Sequence, residues 1–378
     1  MKKLLPIGLI LTLFILSPLS GIASPGDSTI TYDTLTHLMI VGARINGSEE
    51  EFTFAIDTGA VTCLDKKVAD DLGLKQQAMM AKIDQLDIQG FTIDKVFCFT
   101  TFDFSHFKAL GVPIHGILGS NLFERYRVTI DFENRSVAFS SDTTALAAVE
   151  GGLLLPFRNH PVNNAPLVTF LAGDRSLEGM IDTGQPYPLV FPLETFEDIK
   201  DLCLPEYIRS DGLMEEWPMT TADHDYLARL GTMAFPEMKF DSVVCLFGQL
   251  PSVLSMPLIG TDFLSNFKVT INYPRDEILL VPNAGVRVPS NMFSAGLRPD
   301  FTEEGHAVVK GLWQTSPAAE AGLAVGDVID SFDSRKTTRS NLIELIKMLD
   351  DDAVKSIPLG IARDDTTWTV TLPKMLLF

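Results

Sequence analysis

The stretch FAIDTGAVTCLD, residues 54–65, ends an apolar run on Asp57-Thr58-Gly59, and GMIDTGQPYPLVF, residues 179–191, repeats the tripeptide as Asp182-Thr183-Gly184. In each case apolar residues that read as a strand run into an aspartate and a glycine of the kind that make turns. A single copy is an ordinary turn signal, expected by chance in roughly one chain of this length in ten. Two copies mean more if they fall at matching places in a duplicated sequence.

They do. LGSNLFERYRVTIDFENRSVAF, residues 118–139, aligns without a gap on IGTDFLSNFKVTINYPRDEILL, residues 259–280. Gly119 falls opposite Gly260, and Val128-Thr129-Ile130 opposite Val269-Thr270-Ile271. DKVFCF (94–99) matches DSVVCL (241–246), with Cys98 opposite Cys245. Gly119 follows Asp57 by 62 positions and Gly260 follows Asp182 by 78, so the second repeat carries an insertion, placed around 205–228. Short β-branched and aromatic runs between turn signals such as Asn46-Gly47 and Gly173-Asp174 predict mostly antiparallel β lobes. The lobes are assigned to 24–145 and 146–286, joined through the polar stretch 140–152. Beyond PNAGVRVPSN (282–291) the pattern changes to SPAAEAGLAVGDVIDSF, a helical period in RSNLIELIKMLDD and an alternating strand TTWTVTL. Residues 287–378 are therefore expected to form a separate small α+β domain.

The 378 residues are 46% hydrophobic and 21% charged, enough apolar material for two or three ordered domains. A net charge of -19 argues against nucleic acid and anionic membrane surfaces as partners. The first residues, MKKLLPIGLILTLFILSPLSGIAS, have the basic, apolar and small-residue parts of a secretory signal, with cleavage expected after Ala23. The expected location is the periplasm or the extracellular space, with an uncleaved N-terminal anchor as the alternative. Export permits disulfides, and the duplication suggests Cys63 with Cys98 and Cys203 with Cys245, against the alternative of four small buried thiols. No metal-ligand spacing and no Gly-rich phosphate loop is present, so neither a metal nor another cofactor is expected.

With its two Asp-Thr-Gly motifs, each followed by apolar-apolar-Gly, Ile117-Leu118-Gly119 and Leu258-Ile259-Gly260, the chain resembles the pepsin and retropepsin superfamily of aspartic peptidases. The match is to the two-lobed bacterial kind with a C-terminal PDZ domain. The resemblance implies a mostly β, two-lobed acid protease fold in which Asp57 and Asp182 meet and hold a water between them. It also implies that Thr58 and Thr183 hold each other's loops across the interface. Gly59 and Gly184 let their amides approach the carboxylates. Two carboxylates at short range share a proton, so one serves as base and the other as acid. Both come from one chain, which makes a monomer catalytically complete.

Two departures from the family pattern bear on activity. The position after Asp-Thr-Gly, often Ser or Thr, is Ala60 in one lobe and Gln185 in the other. Losing a hydroxyl that bonds the carboxylate raises its pKa, so activity is expected at milder pH than for a gastric enzyme. The first lobe has room between Leu74 and Phe91 for only a short covering hairpin, so the insertion 210–230, with Trp217 or Tyr226, is the alternative cover of the cleft. His115, beside Gly116, is expected to be structural.

SPAAEAGLAVGDVI, 316–329, is similar to the recurring stretch of bacterial PDZ domains, which add an extended peptide to a sheet edge. The resemblance makes Ala295-Gly296-Leu297 the carboxylate loop, and the helix bearing Leu342 and Ile346 one groove wall. A domain that only packs against the lobes is the alternative. For the whole chain the rival to an endopeptidase is a catalytically silent scaffold that displays a PDZ groove.

Overall fold

The computed structural model describes residues 27–102, 104, 114–215, 220–251, 254–302 and 304–378. The expected signal segment and Trp217 lie outside them. The chain is mostly β, as its runs of β-branched and aromatic residues predict, and its arrangement is consistent with a pepsin-like fold.

Each half builds the same sheet. In the first, Phe52–Asp57 runs parallel to Gly116–Gly119, which runs antiparallel to Cys63–Leu64. Cys63 in turn pairs in parallel with Phe99 of the strand Phe91–Phe99. In the second, Arg175–Ile181 is parallel to Leu258–Ile259, which is antiparallel to Leu189–Pro192, itself parallel to Met238–Gly248. Each sheet folds back on itself, through Ile45↔Leu86 in the first and Ala172↔Met233 in the second. Alternation along Leu38–Ile45 buries Met39, Val41, Ala43 and Ile45 and leaves their neighbours outside.

The two halves meet in a six-stranded sheet to which each gives three strands. Its centre is the aligned pair of segments themselves, since Arg127–Asp131 lies antiparallel to Phe267–Asn272 with Thr129 opposite Thr270. Their hydroxyls are 3.0 Å apart. A duplicated strand that pairs with its own copy creates a local two-fold axis. That axis relates the two Asp-Thr-Gly loops.

The C-terminal region has its own core, including Val309, Ile329, Phe332, Leu342, Leu345 and Ile361. It is nonetheless continuous with the second half. Cys203–Gly212, the first strand of a long hairpin, pairs on one edge with Tyr226–Phe235 and on the other with Ala307–Trp313, through Ser210↔Trp313, Asp211↔Leu312 and Gly212↔Gly311. Trp313 is fully buried in a cluster with Ile208, Met214, Leu246 and Leu258 of the second half.

The expected disulfides are corrected: all four cysteines are free thiols. The register explains the first pair. Cys63 lies opposite Phe99, so Cys98, one residue along, points to the other face of the sheet. Cys63 packs with Phe104, Ile114 and Ile117, whereas Cys98 belongs to the main core. Cys203 and Cys245 do face one core, and their thiols share a hydrogen bond. Burial pushes the Cys63 and Cys98 thiols up to about 12, whereas the bond from Cys245 lowers Cys203, which is only half-buried. Alkylation of the native protein by iodoacetamide should therefore mark Cys203 first, and Cys63 and Cys98 only after unfolding. Peptide mapping with and without urea checks this order.

Candidate active site

Asp57 ends the strand Phe52–Asp57 and Asp182 directly follows Arg175–Ile181, so each side chain emerges where its strand turns over the parallel neighbour. The glycine of that neighbour is required by close approach. A Cβ on Gly119 would lie 2.3 Å from the Ala60 carbonyl oxygen, and one on Gly260 would lie 2.2 Å from that of Tyr187. The turns then close on the carboxylates, with the Gly59 amide donating to Asp57 Oδ1 at 2.7 Å and the Gly184 amide to Asp182 Oδ1 at 2.9 Å.

The two loops interlock. Thr58 Oγ1 donates to the Ile181 carbonyl at 2.8 Å and accepts from the Thr183 amide at 3.1 Å. Thr183 Oγ1 accepts from the Thr58 amide at 3.0 Å and donates to the Ile56 carbonyl at 3.4 Å. Both threonines are fully buried. The glycines bring each loop against the opposite carboxylate: a Cβ on Gly59 would lie 2.3 Å from Asp182 Cγ, and one on Gly184 would lie 2.3 Å from Asp57 Oδ2. Asp57 and Asp182 themselves share a hydrogen bond.

Burial and the neighbouring Asp57 charge push the Asp182 carboxyl well above the usual range. Asp57 is also raised by burial, opposed by the Gly59 amide and by its bond to Asp182. Two carboxyls in contact cannot both ionise cheaply, so the pair carries a single proton over a broad range.

A second layer holds these loops, and the sequence reading missed it. Ser120 Oγ donates to the Thr58 carbonyl at 2.6 Å and lies 3.0 Å from the Tyr273 hydroxyl. Thr261 Oγ1 donates to the Thr183 carbonyl at 3.0 Å. The signal was a hydroxyl residue after each glycine, Gly119-Ser120 opposite Gly260-Thr261 in the gapless alignment. Further out, His37 Nε2 lies 2.9 Å from the Gly184 carbonyl, and Asn163 Nδ2 donates to the Gly59 carbonyl at 2.5 Å. His115 is a packing residue: its Nδ1 accepts from the Thr53 amide at 3.0 Å and its ring meets Phe52 edge-on.

Gln185 is buried and its Oε1 accepts from the Tyr187 amide at 3.3 Å. In the first half, Lys75–Gln77 and Met80–Ile88 form the short hairpin, with Met79 exposed at its turn. Tyr226, offered above as a contact over the cleft, stacks flat on Phe196 at 3.9 Å and so is a packing residue. A cavity of about 530 Å³ bounded by Ser141, Asp142, Thr143, Thr144, Pro274 and Arg275 contains neither aspartate. Among the described residues, no group of three or more His, Cys, Asp or Glu side chains is placed to hold a metal.

In the C-terminal domain the strand Leu297–Phe301 lies at a sheet edge, paired with Ala307–Trp313, and the helix Leu342–Asp350 packs beside it. The expected carboxylate loop is folded inward. The Ala295 carbonyl accepts from the Ala318 amide and that of Gly296 from the Trp313 amide, while Gly296, at φ +84°, packs against Ser316. Leu297 pairs with Leu312, Leu342 is fully buried in the domain core, and Ile346 is half-buried beside it. Of the two helix residues, Ile346 is the one with surface facing outward.

The junction between this domain and the second half is rich in carboxyls. Asp225 is fully buried; its Oδ2 accepts from the Met214 and Glu215 amides, while its Oδ1 finds no partner among the described residues. Burial pushes it up to about 6, against the opposing amides and the Arg298 and His224 charges. Burial likewise raises the half-buried Glu215 to about 7. For a carboxyl raised by folding, the stabilisation is present below its unfolded value near 4 and is lost as pH rises through the folded one. The protein should thus be more stable near pH 5 than near pH 8. Asp225→Asn should remove on the order of 1–1.5 kcal/mol of that difference. Thermal unfolding of both proteins across this range tests it.

A protein-family model for the PDZ domain matches residues 309–363, so the C-terminal region is a PDZ domain, a fold that binds peptides. No curated protein matches the chain. Among solved structures the chain is similar to a retropepsin-like aspartic protease from Rickettsia conorii at 20% identity. That likeness covers 32% of this chain and 95% of the other, with a TM-score of 0.23.

Proposed function

We propose that this chain is an exported aspartic endopeptidase that hydrolyses peptide bonds with a water activated between Asp57 and Asp182. The observation that carries the reading is the reciprocal approach of the two loops. Gly59 lies against Asp182, Gly184 lies against Asp57, and the carboxyls share a hydrogen bond. That arrangement destabilises the doubly ionised pair, which a structural turn would avoid and proton-transfer chemistry uses.

In the proposed reaction the ionised carboxylate takes a proton from the water as its oxygen attacks the peptide carbonyl carbon. The protonated partner gives its proton to the carbonyl oxygen. The tetrahedral diol that results collapses as one carboxyl protonates the leaving nitrogen and the other takes the proton of a diol hydroxyl, breaking the C–N bond and yielding a carboxylic acid and an amine. The dyad ends as it began, with one proton. The PDZ domain would hold protein substrates or partners by an extended segment on the Leu297–Phe301 edge.

The short first-half hairpin favours the rival, a silent scaffold displaying the PDZ groove. The deciding experiment incubates residues 24–378 with denatured proteins from pH 3 to 8, beside Asp57→Asn. Cleavage that disappears in the variant supports the peptidase. A folded protein that cuts nothing supports the scaffold.

A further inference from the structure

Two bonds outside the interlocked threonines follow the same two-fold relation. His37 sits in the turn between Asp33–Leu35 and Leu38–Ile45, and Asn163 in the turn between Arg158–Asn159 and Pro166–Ala172. His37 precedes Asp57 by 20 positions and Asn163 precedes Asp182 by 19. Each reaches across to the other half's catalytic loop: His37 Nε2 to the Gly184 carbonyl at 2.9 Å, and Asn163 Nδ2 to the Gly59 carbonyl at 2.5 Å.

Both side chains are fixed from behind. A carbonyl only accepts, so Nε2 of His37 carries the proton. Its Nδ1, then an acceptor, lies 3.3 Å from Thr36 Oγ1, whose single proton is shared between that nitrogen and the Leu35 carbonyl at 2.6 Å. Asn163 Oδ1 accepts from His160 Nδ1 at 2.7 Å and from the Ala165 amide at 3.2 Å, which leaves its Nδ2 aimed at Gly59.

The carbonyl that each clamp holds belongs to the peptide unit whose amide faces a catalytic carboxyl. In a planar trans peptide, C=O and N–H point opposite ways. Holding the Gly184 carbonyl therefore directs the Gln185 amide, which donates to the Asp182 main-chain carbonyl at 3.3 Å and faces the Asp182 carboxyl, whose ionised form it favours. Holding the Gly59 carbonyl directs the Ala60 amide, which donates to the Asp57 main-chain carbonyl at 3.5 Å and faces the Asp57 carboxyl, whose ionised form it favours. A peptide that accepts at oxygen is also a better donor at nitrogen.

We infer that His37 and Asn163 are cross-lobe positioning residues that aim the Gln185 and Ala60 amides at the catalytic carboxyls, in place of the hydroxyls absent at positions 60 and 185. The inference rests on the peptidase reading for its catalytic meaning, but its effect on titration does not need activity. Besides the dyad itself, His37, Cys63 and Tyr273 are the titratable groups described as facing it. Burial lowers His37 to about 4, so it is neutral above that pH and charged at the acid end of the range, and Nε2 keeps its proton in either charge state.

The test compares the parent with His37→Ala, Asn163→Leu, the double variant and His37→Gln, which restores a donor of similar reach. Carboxyl-carbon NMR of aspartate-labelled protein follows the dyad from pH 3 to 8. The lower of its two titration steps should rise by roughly half a unit in each single variant, more in the double, and return in His37→Gln. The acid limb of kcat/KM should move by the same amount, with kcat falling and KM nearly constant. Titration and acid limb unchanged in folded variants, with only Tm lowered, would overturn the inference while leaving the peptidase intact. Titration that shifts as expected in a chain that cuts nothing would keep the clamps and remove the peptidase.

Discussion

Asp57→Asn and Asp182→Asn are each expected to lower kcat by about 10⁴-fold, the upper range for loss of general acid–base catalysis. One asparagine removes two functions together. It abolishes the proton that the pair shares, and it removes the carboxyl with which the survivor titrates, Asp57 being the partner that raises Asp182 and Asp182 the one that holds Asp57 down. The double variant should be little worse than either single one, because residues that act as a unit do not add. The folded state should gain. Asp182 is buried with its carboxyl raised, so neutral asparagine avoids the loss of stability suffered as pH rises through its folded pKa. Single-turnover cleavage of a fluorogenic peptide library, with thermal unfolding of the same samples at pH 5 and 7, reads both effects. Two single variants that each keep a tenth of the parent rate would exclude a shared-proton mechanism.

The site was legible where chemistry and duplication coincided. Two Asp-Thr-Gly turns at matching places gave the dyad, the threonine interlock and the glycine contacts, because strand-end turns are local and the alignment around them has no gap. The VTI segments marked the duplication, but that they pair with each other at the axis is seen only in the fold. Contacts made by single side chains across the axis were not legible. His37 and Gly184 are 147 positions apart, Asn163 and Gly59 are 104 apart, and neither His37 nor Asn163 belongs to a motif. The cysteines failed for a geometric reason, since pairing by repeat ignores which face of the strand each thiol occupies.

The pairing of the second-half hairpin with the PDZ sheet was hidden for a different reason. A strand edge offers the same amides and carbonyls whatever its sequence, so composition does not name its partner. The insertion around 205–228 is offered above, through the stretch 210–230, as the alternative cover of the cleft. Its first strand instead lies between Tyr226–Phe235 and Ala307–Trp313, which makes it a joint between domains. The hairpin occupies the place in the second half that the short Lys75–Gln77 hairpin occupies in the first, beside the doubled-back sheet. A peptide added at the Leu297–Phe301 edge would thus sit one strand away from the strand that holds the hairpin.

Trp313→Ala measures the strength of that joint. The indole is fully buried among second-half side chains while its backbone pairs with Ser210, so one residue serves both the shared core and the shared sheet. Its removal should cost about 3–5 kcal/mol, as for other buried aromatics. The cost should fall toward the low end, because Nε1 finds no acceptor among the described residues and alanine relieves that orphaned donor. At about 2–4 °C per kcal/mol for a unit of this size, Tm should drop by roughly 6–15 °C. Trp368→Ala, at a half-exposed ring on the strand Thr366–Pro373, is the control and should cost far less. In calorimetry the parent's second half and PDZ domain should melt as one transition, which Trp313→Ala divides into two. If the parent already melts in two steps and Trp313→Ala lowers only one, the shared strand does not couple the domains, and occupancy of the PDZ edge has no mechanical route to the hairpin.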